Sequence, residues 1–187
     1  MAGDARIRLF CALELPPETV AELVAWQAEH LVPAKQGLAQ HGGRIVPAEN
    51  LHITLAFLGS RPAAELPAIA AALADAARAG SPAELRPTRY RETRSVGMIL
   101  CDDVSGAATA LAAAVGGRLE QLGAYRREAR PWLPHITVLR FRTREGLTPE
   151  VTNICSFRAV RTALYSSALR PGGAQYQALE TAALGGR

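Results

Sequence analysis

The sequence predicts an α+β fold of antiparallel sheets, with strands and helices shared between two related halves. Three observations carry this. The pattern His-Ile-Thr followed by a hydrophobic residue occurs twice, at His52–Leu55 and His135–Val138, 83 positions apart. Each copy lies in an apolar strand inside a half that has helical and strand stretches of its own, which reads as a pseudo-repeat. The later strands follow one another at hairpin-like spacing, which favours antiparallel pairing over a doubly wound parallel sheet.

Taken in order, Arg6–Leu13 mixes alternation with a continuous apolar run, as an inner strand does, and Pro16-Pro17 ends it. Pro16-Pro17-Glu18 then opens a helix, since proline and an acidic residue suit a first turn. Val20, Leu23, Val24 and Leu31 face the core, with Trp26 near the edge of the stripe. Pro33 and Gly37 loosen or stop this helix, and His41-Gly42-Gly43 is a loop. Arg44–Val46 is a short strand, Pro47–Asn50 a turn, and Leu51–Leu58 the strand of the first motif, closed by Gly59-Ser60-Arg61-Pro62. Strict alternation puts His52 and Thr54 on one face and Ile53, Leu55 and Phe57 on the other.

Glu65–Arg78 is an alanine-rich helix with Leu66, Ile69 and Leu73 at helical spacing. Strands over Ala83–Thr93 and Ser95–Cys101 follow, then a helix over Ala107–Leu122 that buries Leu111, Val115, Leu119 and Leu122. Gly123–Arg130 is a basic loop that leads through Pro131-Trp132-Leu133-Pro134 into the second motif strand, His135 to about Arg142. Alternation sets Arg140 opposite His135, unless a bulge re-aims it or the strand has left the core there. A strand over Cys155–Ser166, a turn at Pro171-Gly172-Gly173 and a last strand over Ala174–Leu179 complete the chain.

The 187 residues are 49% hydrophobic and 20% charged, a balance that excludes a largely disordered chain and can bury a core without staples. No apolar run approaches the ~20 residues of a membrane span, and no signal-peptide core follows Met1, so the expected location is the cytoplasm. Cys11, Cys101 and Cys155 are scattered without metal-ligand spacing and are expected to be reduced, mostly buried thiols. The formal charge is +4, carried almost entirely by arginine, with Lys35 the single lysine. Arginine suits phosphate, whose oxygen pairs match its donor fork. Neither GxGxxG nor GxxxxGK[ST] occurs, which argues against an NTP-dependent mechanism.

A single His-x-Thr on a strand means little; two change the reading. Residues i and i+2 lie roughly 6.5 to 7 Å apart along a strand, so a histidine and a threonine can touch one phosphate-sized group. Two imidazoles from different strands can flank one phosphorus, one neutral to take a proton and one charged to give one. Thr54 and Thr137 can donate hydrogen bonds to the non-bridging oxygens, where charge gathers. A metal hydrolase with two histidine ligands competes with this scheme, but no carboxylate stands at the usual ligand spacing and the scheme requires no metal or other cofactor. His30 and His41 lack a partner threonine and read as surface residues, and Phe10 and Phe57 as core.

At these residues the chain resembles the bacterial RNA 2′,3′-cyclic phosphodiesterases of the two-histidine phosphoesterase superfamily, also called 2′-5′ RNA ligases. Arg8–Pro16, Asn50–Gly59, Pro134–Arg140 and Leu164-Tyr165-Ser166-Ser167 match the family's landmarks in order, over essentially the whole chain. The resemblance implies a single bilobal domain over residues 1–187, its two lobes lining a central cleft with helices outside. It also implies that His52 protonates the leaving 3′ oxygen, that His135 activates water, and that Thr54 and Thr137 hold the phosphate. Hydrolysis would leave a 2′-phosphate, and the reverse reaction with a 5′-hydroxyl end would make a 2′-5′ linkage without ATP.

Arg130 matches a basic position shortly before the second motif and is expected, with Trp132, to contact RNA; the competing readings are a solvated loop charge and a packed indole. RNA bearing a cyclic phosphate end is the expected partner, with no membrane and no obligate protein partner. Two other readings stand beside this one: the same chemistry on a small nucleotide or ADP-ribose cyclic phosphate, and a catalytically silent RNA-binding module.

Overall fold

The structure, a computed structural model, describes residues 5–31, 43–144, 146–170 and 173–185. Pro33, Lys35, Gly37, His41 and Gly42, and the Pro171-Gly172 part of the last turn, lie outside the described residues. The chain runs β1 (Arg6–Glu14), α1 (Pro17–His30), β2 (Arg44–Ile45), β3 (His52–Pro62), α2 (Leu66–Ala79), β4 (Ala83–Glu92), β5 (Val96–Asp103), α3 (Ala107–Gln121), β6 (His135–Arg140), β7 (Phe157–Ala159), β8 (Arg161–Arg170) and β9 (Gly173–Ala183). Short 3-10 turns at Ala48–Asn50 and Ala63–Glu65 lead into β3 and α2.

The pairings recorded between strands are antiparallel, in the order β7-β4-β5-β6-β3-β1-β8-β9 with β2 added to β6. The sheet is curled into half a barrel. It divides at its middle: β7-β4-β5-β6, with β2 on β6, and β3-β1-β8-β9 share one ladder pair, Ile53 with Ile136. Both residues are fully buried. The two motif strands are therefore neighbours at the seam between the halves, where a sheet that opens a cleft must splay.

β1 lies between β3 and β8, as its apolar run predicts, and Leu9 through Leu13 are all buried. Leu9, Cys11 and Leu13 join the main core, while Phe10 faces the other side of the sheet and stacks on Tyr165. α2 lies on α3 and on β8 and β9; α3 covers β3, β4 and β5. Their buried faces, Ile69, Leu73, Ala76 and Ala77 on α2 and Leu111, Val115 and Leu119 on α3, repeat at helical spacing. Each fully buried leucine or isoleucine among them contributes roughly 2 kcal/mol of transfer free energy.

Several expectations are corrected. On α1 the buried stripe is Thr19, Leu23, Trp26 and Gln27, and Val24 is 41% exposed. The stripe tilts because Gln27 is needed inward: its amide Nε2 donates to the carbonyls of Val46 and Val138, both at 3.0 Å, and satisfies two loop and strand acceptors that water cannot reach. Leu122 is 46% exposed because α3 ends at Gln121 and the chain turns away. β3 does not stop at Gly59 but continues to Pro62 along β1. The expected strand over Cys155–Ser166 is two strands: β7 pairs with β4 and β8 with β1, in opposite halves, and the chain crosses between them at the exposed Val160. Cys11 and Cys101 are buried as expected, whereas Cys155 is exposed.

Candidate active site

The two motifs share one local geometry. β3 begins His52 partly buried, Ile53 buried, Thr54 partly buried, Leu55 and Ala56 buried, Phe57 exposed; β6 repeats that order from His135 to Arg140. Two consecutive buried residues break the alternation because each strand carries a bulge at the same place. Ala12 and Cys11 of β1 face Thr54 and Ala56, so Leu55 is the extra residue. Met98 and Gly97 of β5 face Thr137 and Leu139, so Val138 is the extra residue. A bulge shifts every later side chain to the opposite face. It turns Phe57 and Arg140, each five residues after its histidine, onto the face that carries the histidines and threonines.

The expectation that Phe57 packs in the core is therefore overturned: it is 49% exposed, with the Arg8 guanidinium 4.7 Å from its ring centroid. Arg140 likewise leaves the Ile136 face. The sequence signal for both is the adjacent apolar pair after each threonine, Leu55-Ala56 and Val138-Leu139, in strands that otherwise alternate.

Both imidazoles are held alike. His52 Nδ1 lies 2.8 Å from the Asn50 carbonyl oxygen and His135 Nδ1 lies 2.8 Å from the Leu133 carbonyl oxygen. A carbonyl only accepts, so each Nδ1 carries the hydrogen and each neutral ring presents an unprotonated Nε2. His52 Nε2 is 3.1 Å from Thr54 Oγ1 and accepts its hydroxyl hydrogen. Continued one residue either way from the Ile53–Ile136 pair, the antiparallel register sets His52 across from Thr137 and Thr54 across from His135. Each histidine thus stands beside the other motif's threonine.

The surroundings differ. Phe10, Tyr176 and Tyr165 lie 4.9, 5.5 and 6.2 Å from the His52 ring, centroid to centroid. Burial in this aromatic box lowers the His52 pKa to about 4; Arg140 and His135 push it the same way and the Asn50 carbonyl opposes them. His52 is therefore neutral at pH 7 in the free protein. The cleft beside it encloses about 400 Å³ and is lined by Arg8, Arg44, Arg140, Arg142 and Arg170 together with Phe57 and Tyr176. Among the described residues no carboxylate lines it, and no group of three or more His, Cys, Asp or Glu side chains could hold a metal ion. Burial pushes the Cys11 and Cys101 thiols up to about 12, with Asp102 adding to the shift at Cys101, so neither offers a thiolate.

The family model described as LigT-like phosphoesterase matches residues 13–91. An RNA 2′,3′-cyclic phosphodiesterase of Thermus thermophilus is 33% identical over 191 residues, covering 96% of this chain and 91% of its own length. The chain belongs to the LigT-like phosphoesterase family. An RNA 2′,3′-cyclic phosphodiesterase of Escherichia coli K12 is 29% identical over 178 residues, covering 95% of this chain and 96% of its own. The crystal structure of E. coli LigT complexed with 3′-AMP superposes with a TM-score of 0.77 at 28% identity, covering 96% of this chain and 99% of that one.

Of the expected site residues His52 and Thr54 line this cleft, whereas His135 and Thr137, on the neighbouring strand, do not, and the others of this LigT-like chain lie further apart. Arg130 is 81% exposed and pairs with Glu128 in its own loop. Trp132 is partly buried, and its indole Nε1 donates to the Thr54 carbonyl at 3.0 Å, bracing the approach to β6 against the first motif strand. Neither lines the cleft. His30 is partly buried against Trp26, with ring centroids 5.2 Å apart. Residues not anticipated as part of the site are Arg8, Asn50, Phe57, Arg140 and Tyr176. No helix among the described residues is long and apolar enough to cross a membrane.

Proposed function

We propose that the protein, as a single bilobal domain, opens the 2′,3′-cyclic phosphate at the end of an RNA to a 2′-phosphate by general acid and base catalysis with His52 and His135, without a metal ion. The observation that carries this reading is the mirrored pair: two imidazoles, each held through Nδ1 by a backbone carbonyl two residues earlier, at the starts of antiparallel motif strands joined at Ile53 and Ile136, with His52 Nε2 on its own Thr54. The names of the T. thermophilus and E. coli relatives support the substrate.

In this mechanism His135 Nε2 takes a proton from a water, whose oxygen attacks phosphorus opposite the 3′ oxygen. The bond from phosphorus to the 3′ oxygen breaks, its electron pair stays on oxygen, and His52 delivers a proton there; the bond to the 2′ oxygen is kept. Thr54 and Thr137 donate to the non-bridging oxygens, and Arg140 adds positive charge where the transition state gathers negative charge. His52 must be charged to act as the acid, yet it is neutral in the free protein. The incoming phosphate anion supplies the opposite charge that raises its pKa, so the acid is loaded as substrate binds. Phe57 offers a ring for the terminal base. A 5′-hydroxyl in place of water gives a 2′-5′ linkage with no ATP. A cytoplasmic location belongs to the same proposal.

The test is incubation of purified, EDTA-treated protein with an RNA ending in a 2′,3′-cyclic phosphate. The expected product is the 2′-phosphate, formed without added metal. A 3′-phosphate product, or turnover only with added divalent metal, would overturn the mechanism.

A further inference from the structure

The cleft extends well past His52 and Thr54, the motif residues that line it. Roughly 10 Å of strand separates Thr137 from Arg140, and Arg142 lies beyond the end of β6. Arg142 is joined at this end of the cleft by Arg44 from β2 and Arg170 near the end of β8. Arg44 is paired across the ladder with Arg140, and its Nη1 stands 3.4 Å from where a Cβ on Gly173 would sit. Gly173 in turn pairs with Arg170. The left-handed backbone of Gly173, φ +129°, is one that side-chain-bearing residues rarely adopt, and its bare Cα leaves room for the guanidinium.

The position of this end is fixed relative to the reacting one. Asn50 Nδ2 donates to the Ala174 carbonyl at 2.8 Å, tying the β8–β9 hairpin to the residue whose own carbonyl orients His52. Elsewhere Arg61, Arg78, Arg86, Arg127 and Arg161 each meet a carboxylate. Among the described residues Arg142 and Arg170 meet none. Arg142 and Arg170 face the same end of the cleft, and like charges brought close repel one another unless an anion joins them.

We infer that Arg44, Arg142 and Arg170 form a second phosphate subsite, which takes the internucleotide phosphodiester on the 5′ side of the terminal nucleotide. The inference rests on the ring-opening reading for the direction of the strand: with the cyclic phosphate between the histidines and the terminal base on Phe57, the 5′ oxygen carries the next phosphate toward the arginines. The ligand is then an oligonucleotide end rather than a mononucleotide, and the subsite adds affinity through charge and paired donors, with no reading of base identity.

The test compares three substrates on the full chain: a nucleoside 2′,3′-cyclic phosphate, a dinucleotide with the same cyclic end, and that dinucleotide with a neutral methylphosphonate linkage. The expected kcat/KM is at least about 10-fold higher for the charged dinucleotide than for either other substrate. The Arg142→Gln, Arg170→Gln double variant is expected to lose that advantage while its mononucleotide kcat/KM stays within about twofold. Equal rates on the charged and neutral dinucleotides, or equal losses by the variant on all three substrates, would overturn the subsite. If wild type opens none of the rings, the ring-opening reading falls instead. Calorimetric binding of the 2′-phosphorylated dinucleotide against its methylphosphonate analogue then judges the subsite alone: tighter binding of the charged form upholds it and equal binding overturns it.

Discussion

At the scale of single residues, the two histidines are alike in tautomer and unlike in environment. Only His52 lies in the aromatic box, and its pKa of about 4 is set first by burial, which the Asn50 carbonyl opposes, with Arg140 and His135 lowering it further. An NMR titration of the His52 ring is expected to show it neutral down to about pH 4 in the free protein, with a higher midpoint when a nucleoside 2′-phosphate is bound. Arg140→Gln removes a positive neighbour, so it should raise the free-protein midpoint while slowing ring opening. A midpoint unmoved by both the ligand and the substitution would remove the substrate-loaded acid. Phe57 is exposed and contributes little to the core, so Phe57→Ala should leave the folded state intact. Losing a base-stacking ring worth ~1–3 kcal/mol should lower kcat/KM about 10- to 100-fold; an unchanged value would return Phe57 to a passive rim.

Among the elements, the motif strands show what the sequence does and does not disclose. His-x-Thr is legible because residue types and spacing state it directly, and the buried Ile53 and Ile136 follow from alternation. The residues after the threonines are not legible by alternation, because one extra residue at Leu55 and at Val138 reverses every later assignment. Phe57 and Arg140 were hidden by that reversal. The crossing at Val160 was hidden for another reason: Ala159-Val160-Arg161 has no proline or glycine to mark it, and β7 and β8 are distinguished only by their distant partners β4 and β1. Likewise Gly59 reads as a stop yet serves a further irregularity, with Leu58 unpaired between Phe57 and Gly59 and Gly59 at φ +69°. A Cβ there meets nothing within 4 Å, so Gly59→Ala is expected to cost only the backbone penalty, about 1 kcal/mol, in a denaturant-unfolding comparison. A neutral substitution would mean that β3 passes Gly59 without the left-handed turn.

Across the whole molecule, a five-stranded and a four-stranded half share one ladder pair, and the seam carries the site. The halves are symmetric in their bulges and tautomers and asymmetric in their aromatic box and arginine-lined wall. The asymmetry has a cost in acid. The folded pKa of His52 lies below the ~6.5 of an unfolded chain, so between pH 6.5 and 4 the unfolded state binds a proton that the native state does not. Stability from this group is complete above pH 6.5 and falls as pH drops toward 4, by roughly 2 kcal/mol between pH 7 and pH 5. Chemical denaturation at both pH values should show that loss in wild type and a smaller one in His52→Asn; equal losses would mean that the box does not exclude the charged ring.

The most direct test of the central claim, that His52 and His135 act together on one phosphorus, is a double-mutant cycle on ring opening in EDTA. His52→Ala and His135→Ala should each lower kcat by about 10²- to 10⁴-fold with the fold retained by circular dichroism. The double variant should lose little more than the worse single, because residues that work as one device are not additive. Losses that multiply in the double variant, or a single variant that keeps its activity, would contradict a joint site.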